Sequence, residues 1–150
     1  VKEKVMGATF KFSSMNKVEI EKLMKPLILC VRQDKITSYI SEYNVLSVNG
    51  LLSKNLLRYE FDKRSIFITD EFNKIIDNIN DPILIKDFEI LFDPAFQLDV
   101  LKLFIMANRK KRVTVLWCGK YKNGRLIFAE PEYEDYKSYN ISDYDISCIV

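Results

Sequence analysis

Short aliphatic runs that do not alternate polar with apolar residues constrain this chain more than any other feature. They are Pro26-Leu27-Ile28-Leu29-Cys30-Val31, Pro82-Ile83-Leu84-Ile85 and Val113-Thr114-Val115-Leu116-Trp117-Cys118. A strand of this kind is covered on both faces, as in a parallel sheet flanked by helices. Asn44 to Asn49 and Leu126-Ile127-Phe128-Ala129 add two further strand candidates. Helical patterns lie between them. Asn16-Lys17-Val18-Glu19 reads as a capping box, and Pro26 ends the helix that follows. Ile36–Tyr43 and Leu51–Tyr59 are helix-like, and Ser65–Ile79 carries Ile68, Phe72, Ile75, Ile76 and Ile79 on one stripe. Asp93-Pro94 reads as N-cap and first position of a helix running to about Ala107.

This alternation predicts an α/β, three-layer fold with a mainly parallel sheet of about five strands flanked by helices. The 150 residues suit a single domain over 1–150. Within it, residues 1–12 are an arm or an edge strand, and residues 130–150 form an acidic tail. Lys122-Asn123-Gly124 reads as a hairpin turn. No stretch reaches the length of a membrane span, and the first residues do not read as a secretory signal. A cytoplasmic location is therefore the expectation.

Histidine is absent, which removes Ser-His-Asp and Cys-His nucleophiles in their usual form and most catalytic zinc sites. No metal site is expected. Cys30, Cys118 and Cys148 are odd in number and adjoin Ile, Leu or Trp. They read as small buried hydrophobes rather than a disulfide.

The element order is that of a P-loop NTPase-like core. After the first core strand such an enzyme needs G-x-x-x-x-G-K-[ST], whose glycines let backbone amides face the phosphates. Here the segment is Val31-Arg32-Gln33-Asp34-Lys35-Ile36-Thr37-Ser38, and it contains no glycine. Lys35 and Thr37 are the only remnants, so a plain strand-to-helix turn is the first reading and a phosphate cradle the alternative. The third strand runs into Lys86-Asp87-Phe88-Glu89. In an extended chain Asp87 and Glu89 alternate to one side, at the carboxyl end where open α/β sheets bind ligands. Lys86 stands at the first polar position, so an ion pair with Asp87 competes with metal coordination.

From Leu84 onward the sequence resembles a family. Glu89-Ile90-Leu91-Phe92-Asp93-Pro94, then Trp117-Cys118-Gly119, then Ala129-Glu130-Pro131 with Tyr136 look like BrxF, the small P-loop-type protein of type 3 bacteriophage exclusion (BREX) systems. The resemblance covers residues 83–150, and the front half by element order only. It implies an ATPase-like component of an antiviral complex, with ATP and magnesium as cofactors if the site works. It also implies other defence proteins as partners and self-association. Glu89 matches the family's retained glutamate and would be the catalytic residue. The chain departs from the pattern where ATP chemistry resides: no glycine loop, Lys86 in place of the metal-site acid, and Cys118 after the tryptophan. Three departures at one site point to a non-hydrolysing relative. A divergent active ATPase using Lys35, Thr37, Asp87 and Glu89 is the alternative.

Charge gives a second constellation. Residues 109–129 hold Arg109, Lys110, Lys111, Arg112, Lys120, Lys122 and Arg125 and no acid, whereas residues 130–150 hold six acids and Lys137. With Tyr121 available to stack on a base, this block is a candidate DNA contact. Its two halves flank one strand and are expected on opposite edges, about 15–20 Å apart. A solvated face is the plainer reading.

Overall fold

The structure, a computed structural model, describes residues 7–150. In chain order the strands are β1 (Ala8–Phe10), β2 (Leu27–Leu29), β3 (Asn44–Ser47), β4 (Ile83–Lys86), β5 (Val113–Leu116), β6 (Lys120–Lys122), β7 (Arg125–Phe128), β8 (Lys137–Asn140) and β9 (Ser147–Ile149). The helices are α1 (Lys17–Glu21), α2 (Gln33–Ile40), α3 (Val48–Leu56), α4 (Arg64–Asp77) and α5 (Val100–Asn108).

Six strands form one sheet in the order β1-β9-β2-β5-β4-β3, and every pairing in it is parallel. Side chains alternate across that sheet, so β2 feeds two cores. Leu27 and Leu29 join Leu84 and Ile149 beneath Ile20 of α1 and Ile36, Tyr39 and Ile40 of α2. Ile28 joins Ile83, Ile85, Val113 and Val115 beneath the apolar stripes of α3, α4 and α5. The result is an α/β layering with helices on both faces. It explains why β2 is buried at all three positions.

The expected strands over residues 26–31, 44–49, 82–85 and 113–118 are β2, β3, β4 and β5. The fifth expected strand, Leu126–Ala129, does not join them. It is β7, in a separate antiparallel sheet ordered β6-β7-β8. The main sheet is completed instead by β9, from the segment expected to be an acidic tail, and by β1 at the edge. The 1–12 segment thus supplies an edge strand at residues 8–10; residues 1–6 lie outside the described residues. The β6–β7 turn is the expected hairpin: Lys122 pairs with Arg125, and Asn123 and Gly124 take φ of 50° and 75°.

The helix expected over 93–107 is broken. Asp93 caps a single 3₁₀ turn, Pro94–Phe96, accepting from the Ala95 amide at 2.9 Å. Gln97 is left-handed at φ 48°, and Asp99 starts α5 by accepting from the Lys102 amide at 3.1 Å. Asn16 caps α1 as expected, accepting from the Glu19 amide at 2.9 Å.

An aromatic cluster fastens the small sheet to the large one. Phe92 stacks on Phe128 with centroids 4.0 Å apart and meets Trp117 edge-on at 5.8 Å. The Trp117 indole N–H donates to the Ile127 carbonyl at 3.1 Å. A Cβ on Gly119 would lie 1.9 Å from that same oxygen, so only glycine fits this approach. No described helix is long and apolar enough to cross a membrane.

Candidate functional site

The carboxyl ends of β2, β3, β4 and β5 open on one end of the sheet. This is the place at which an open α/β fold binds its ligand, and the expected nucleotide residues are distributed around it. From β2 the chain reaches α2 through three residues only, Cys30, Val31 and Arg32. Arg32 pairs with Asp34 at 3.1 Å, tying the start of α2 to itself. Lys35 is exposed in the first turn of α2, with its amide already bonded to the Arg32 carbonyl at 3.0 Å. The Thr37 hydroxyl donates to the Gln33 carbonyl at 3.0 Å. A triphosphate cradle needs several successive amides turned to one point, and a three-residue turn without glycine does not supply them. The residues present do not fit ATP with magnesium in the P-loop manner.

Asp87 and Glu89 do converge, though not by extended alternation. Asp87 is left-handed at φ 49°, a conformation that aspartate tolerates better than most residues. Glu89 opens the 3₁₀ turn Glu89–Phe92, and Phe88 between them is fully buried. Both carboxylates face the start of α3. Ser47 donates its hydroxyl to Asp87 Oδ2 at 2.7 Å. The Asn49 side-chain amide donates to Glu89 Oε2, and Asn49 Oδ1 accepts from the Ile90 amide at 2.9 Å. The Asn49 amide donates to the Asp87 carbonyl at 2.7 Å. Lys86 reaches Asp87 only at 3.9 Å, a weak and half-exposed pair. Among the described residues no group of three or more acids, cysteines or histidines is placed to hold a metal ion.

Cys118 follows β5 into the same end of the sheet. Burial, and then the neighbouring Glu89 carboxylate, pushes its thiol well above the ordinary range. Burial likewise raises Cys30, and it pushes Cys148 up to about 12. All three cysteines are free. Cys148 is buried as expected, whereas Cys30 and Cys118 are only partly buried against the same core.

No hydrogen bond or ion pair among the described residues links Lys35 or Thr37 to Asp87 or Glu89. The expected nucleotide set is therefore two local clusters: one folded back on α2, the other closing the β4 turn against α3. Ser47 and Asn49 complete the second cluster, and sequence patterning missed them because Asn44–Asn49 read as one strand. Ser47 ahead of an apolar stripe is the kind of signal that marks a helix start.

The basic block divides as expected, one half before β5 and the other beyond it, but most of its charge is engaged. Lys111 donates to the carbonyls of Ile76, Asp77 and Ile79 at 3.0, 2.9 and 2.5 Å, closing the end of α4. Lys110 pairs with Asp77 at 3.5 Å and Arg112 with Asp81 at 2.9 Å. Lys120 pairs with Glu130 at 3.4 Å, and Arg125 donates to the Ser138 hydroxyl at 2.7 Å. The Tyr121 hydroxyl accepts from the Gly124 amide at 3.1 Å and lies 3.2 Å from that of Thr9. Of the seven cations, only Arg109 and Lys122 have no side-chain hydrogen bond or ion pair among the described residues.

No family model matches the chain, and comparison with curated proteins and with solved structures returns no match.

Proposed function

We propose that the chain is a P-loop-like binding and assembly module that does not hydrolyse nucleotide. It would act through partner proteins in a bacterial anti-phage complex of the BREX kind. One observation carries the loss of hydrolysis: the turn from β2 to α2 is three residues long and has no glycine. The P-loop-like part of the reading is supported by β2 lying between β5 and β9, with α2 leaving it toward the far edge at β3. The resemblance of residues 83–150 to BrxF supports the setting.

The motif residues behind that resemblance fit a scaffold. Phe92, Trp117 and Gly119 hold the two sheets together rather than touching a reacting atom. Contact with partners is supported by Leu57 and Phe61, which are 71% and 79% exposed. Both border a groove of about 270 Å³ also lined by Leu56, Ile90 and Phe96. DNA contact is the weaker reading, because five of the seven cations already hold partners.

The test is ATP hydrolysis by the full chain with magnesium. Turnover at buffer background, unchanged in Lys35→Ala, is the expected result. A rate above background that Lys35→Ala abolishes would overturn the proposal in favour of a divergent ATPase.

A further inference from the structure

A hole and a projection share the face on which α3 gives way to α4. Buried Leu56, with half-buried Ile90 and Phe96, floors the groove of about 270 Å³. Leu57 and Phe61 stand strongly exposed on its rim. Leu57 closes α3, and Phe61 opens the short 3₁₀ turn Phe61–Lys63 that leads into α4. Single apolar side chains on a surface need no explanation, but two of this size beside an apolar groove mark a contact surface.

The charges on this face indicate what the contact is made with. The Arg64 guanidinium lies over the Phe61 ring, 5.5 Å from its centroid and within cation–π range. Its Nε donates to the Tyr59 carbonyl at 3.3 Å, and its terminal nitrogens have no hydrogen bond or ion pair among the described residues. Asp62, in the groove wall, has no side-chain partner among them either. Asp93, also in the wall, uses only Oδ1, which accepts from the Ala95 amide. The projection is thus an aromatic ring carrying a cation, and the hole is an apolar floor beside carboxylates with acceptor atoms to spare. The two match in shape and in charge, yet Phe61 stays exposed, so one chain does not fill its own groove. A patch complementary to itself closes about a twofold axis, where each copy offers its projection to the other's hole.

We propose that this face pairs with the same face of a second copy of the chain. In the twofold dimer Phe61 of each copy enters the groove of the other, and Arg64 of each meets Asp62 of the other. The proposal rests on the reading of this face as a partner contact and names that partner. It does not depend on the β2–α2 turn.

The experiment is sedimentation equilibrium of the full chain from micromolar to millimolar concentration, with circular dichroism to confirm that each variant is folded. The expected result is a reversible monomer–dimer equilibrium with no larger species. Phe61→Ser, at an exposed position, should weaken the dimer by about a hundredfold, because the symmetry loses the anchor twice. Asp62→Arg and Arg64→Asp should each weaken it by at least about tenfold, since like charges then face each other. Mixed in equal amounts, these two charge variants should associate again, because the heterodimer restores both ion pairs. A purely structural effect of either substitution is not reversed by mixing. A chain that stays monomeric throughout, assembly that grows beyond a dimer, a dimer indifferent to Phe61→Ser, or charge variants that do not rescue each other would overturn the proposal. A monomer that also turns over no ATP strikes this proposal alone. A dimer that hydrolyses ATP leaves it standing and removes the non-hydrolysing reading instead.

Discussion

Lys111 donates from one ammonium to three carbonyl oxygens at the end of α4, and that arrangement withdraws it from the charge a polyanion would meet. A run of cations in sequence shows which charges are adjacent along the chain, but not which of them the fold has used. Lys111→Met is expected to cost about 1–2 kcal/mol in denaturant unfolding, as orphaned helix-end carbonyls lose their donor. It should leave any weak affinity for duplex DNA and its salt slope unchanged. Thr114 makes the opposite case. Its hydroxyl is buried in β5 with no partner among the described residues, so Thr114→Val should be neutral or stabilise by up to about 1 kcal/mol. Glu71 is 1% exposed, and its Oε1 accepts from the Tyr59 hydroxyl at 2.6 Å and Arg58 at 2.7 Å. The Tyr59 hydrogen bond first, then Arg58 and Lys74, hold its carboxyl below the ordinary 4.5 despite burial. Its folded pKa lies below its unfolded one, so its contribution is present above the unfolded pKa and is lost as pH falls through the folded value. Urea midpoints measured at pH 7 and near pH 3 should converge for wild type and Glu71→Gln at the acid end and separate at the neutral end.

At the scale of elements, β2, β4 and β5 were legible because burial on both faces writes itself into a run of three or four aliphatic residues. β9 was not. Ser147-Cys148-Ile149 is short, it follows the acidic stretch Asp143–Asp145, and its place between β1 and β2, with Cys148 and Ile149 in the two cores, depends on partners far away in sequence. The break within 93–107 was equally silent, because Gln97 takes the left-handed conformation with neither glycine nor proline to announce it. The candidate site was half legible. Asp87 and Glu89 were placed at the correct end of the sheet, but their partners Ser47 and Asn49 depend on where β3 stops and α3 begins, a boundary that local pattern does not resolve. The corner between β5 and β6 offers a direct check on the packing of the two sheets. Gly119→Ala drives a methyl into the Ile127 carbonyl, and a loss of roughly 2–4 kcal/mol in chemical unfolding is expected. Full stability in that variant would show that the small sheet is not held as described.

For the molecule as a whole, a parallel sheet layered by helices on both faces leaves its strand ends open, and open α/β sheets in general bind ligands at the carboxyl ends of their strands. The end that carries β2's exit has a three-residue turn without glycine in place of any loop that could hold phosphates, while the aromatic joint between the sheets is complete. A scaffold kept in full around a turn too short for a triphosphate is the claim on which the functional reading depends. Thermal unfolding of the full chain with and without millimolar Mg-ATP tests it most directly. A ligand that binds the folded state alone adds about 2.7 kcal/mol at one hundred times its Kd. The expected result is a midpoint that does not move. A concentration-dependent rise, lost on removing magnesium or in Lys35→Ala, would contradict it.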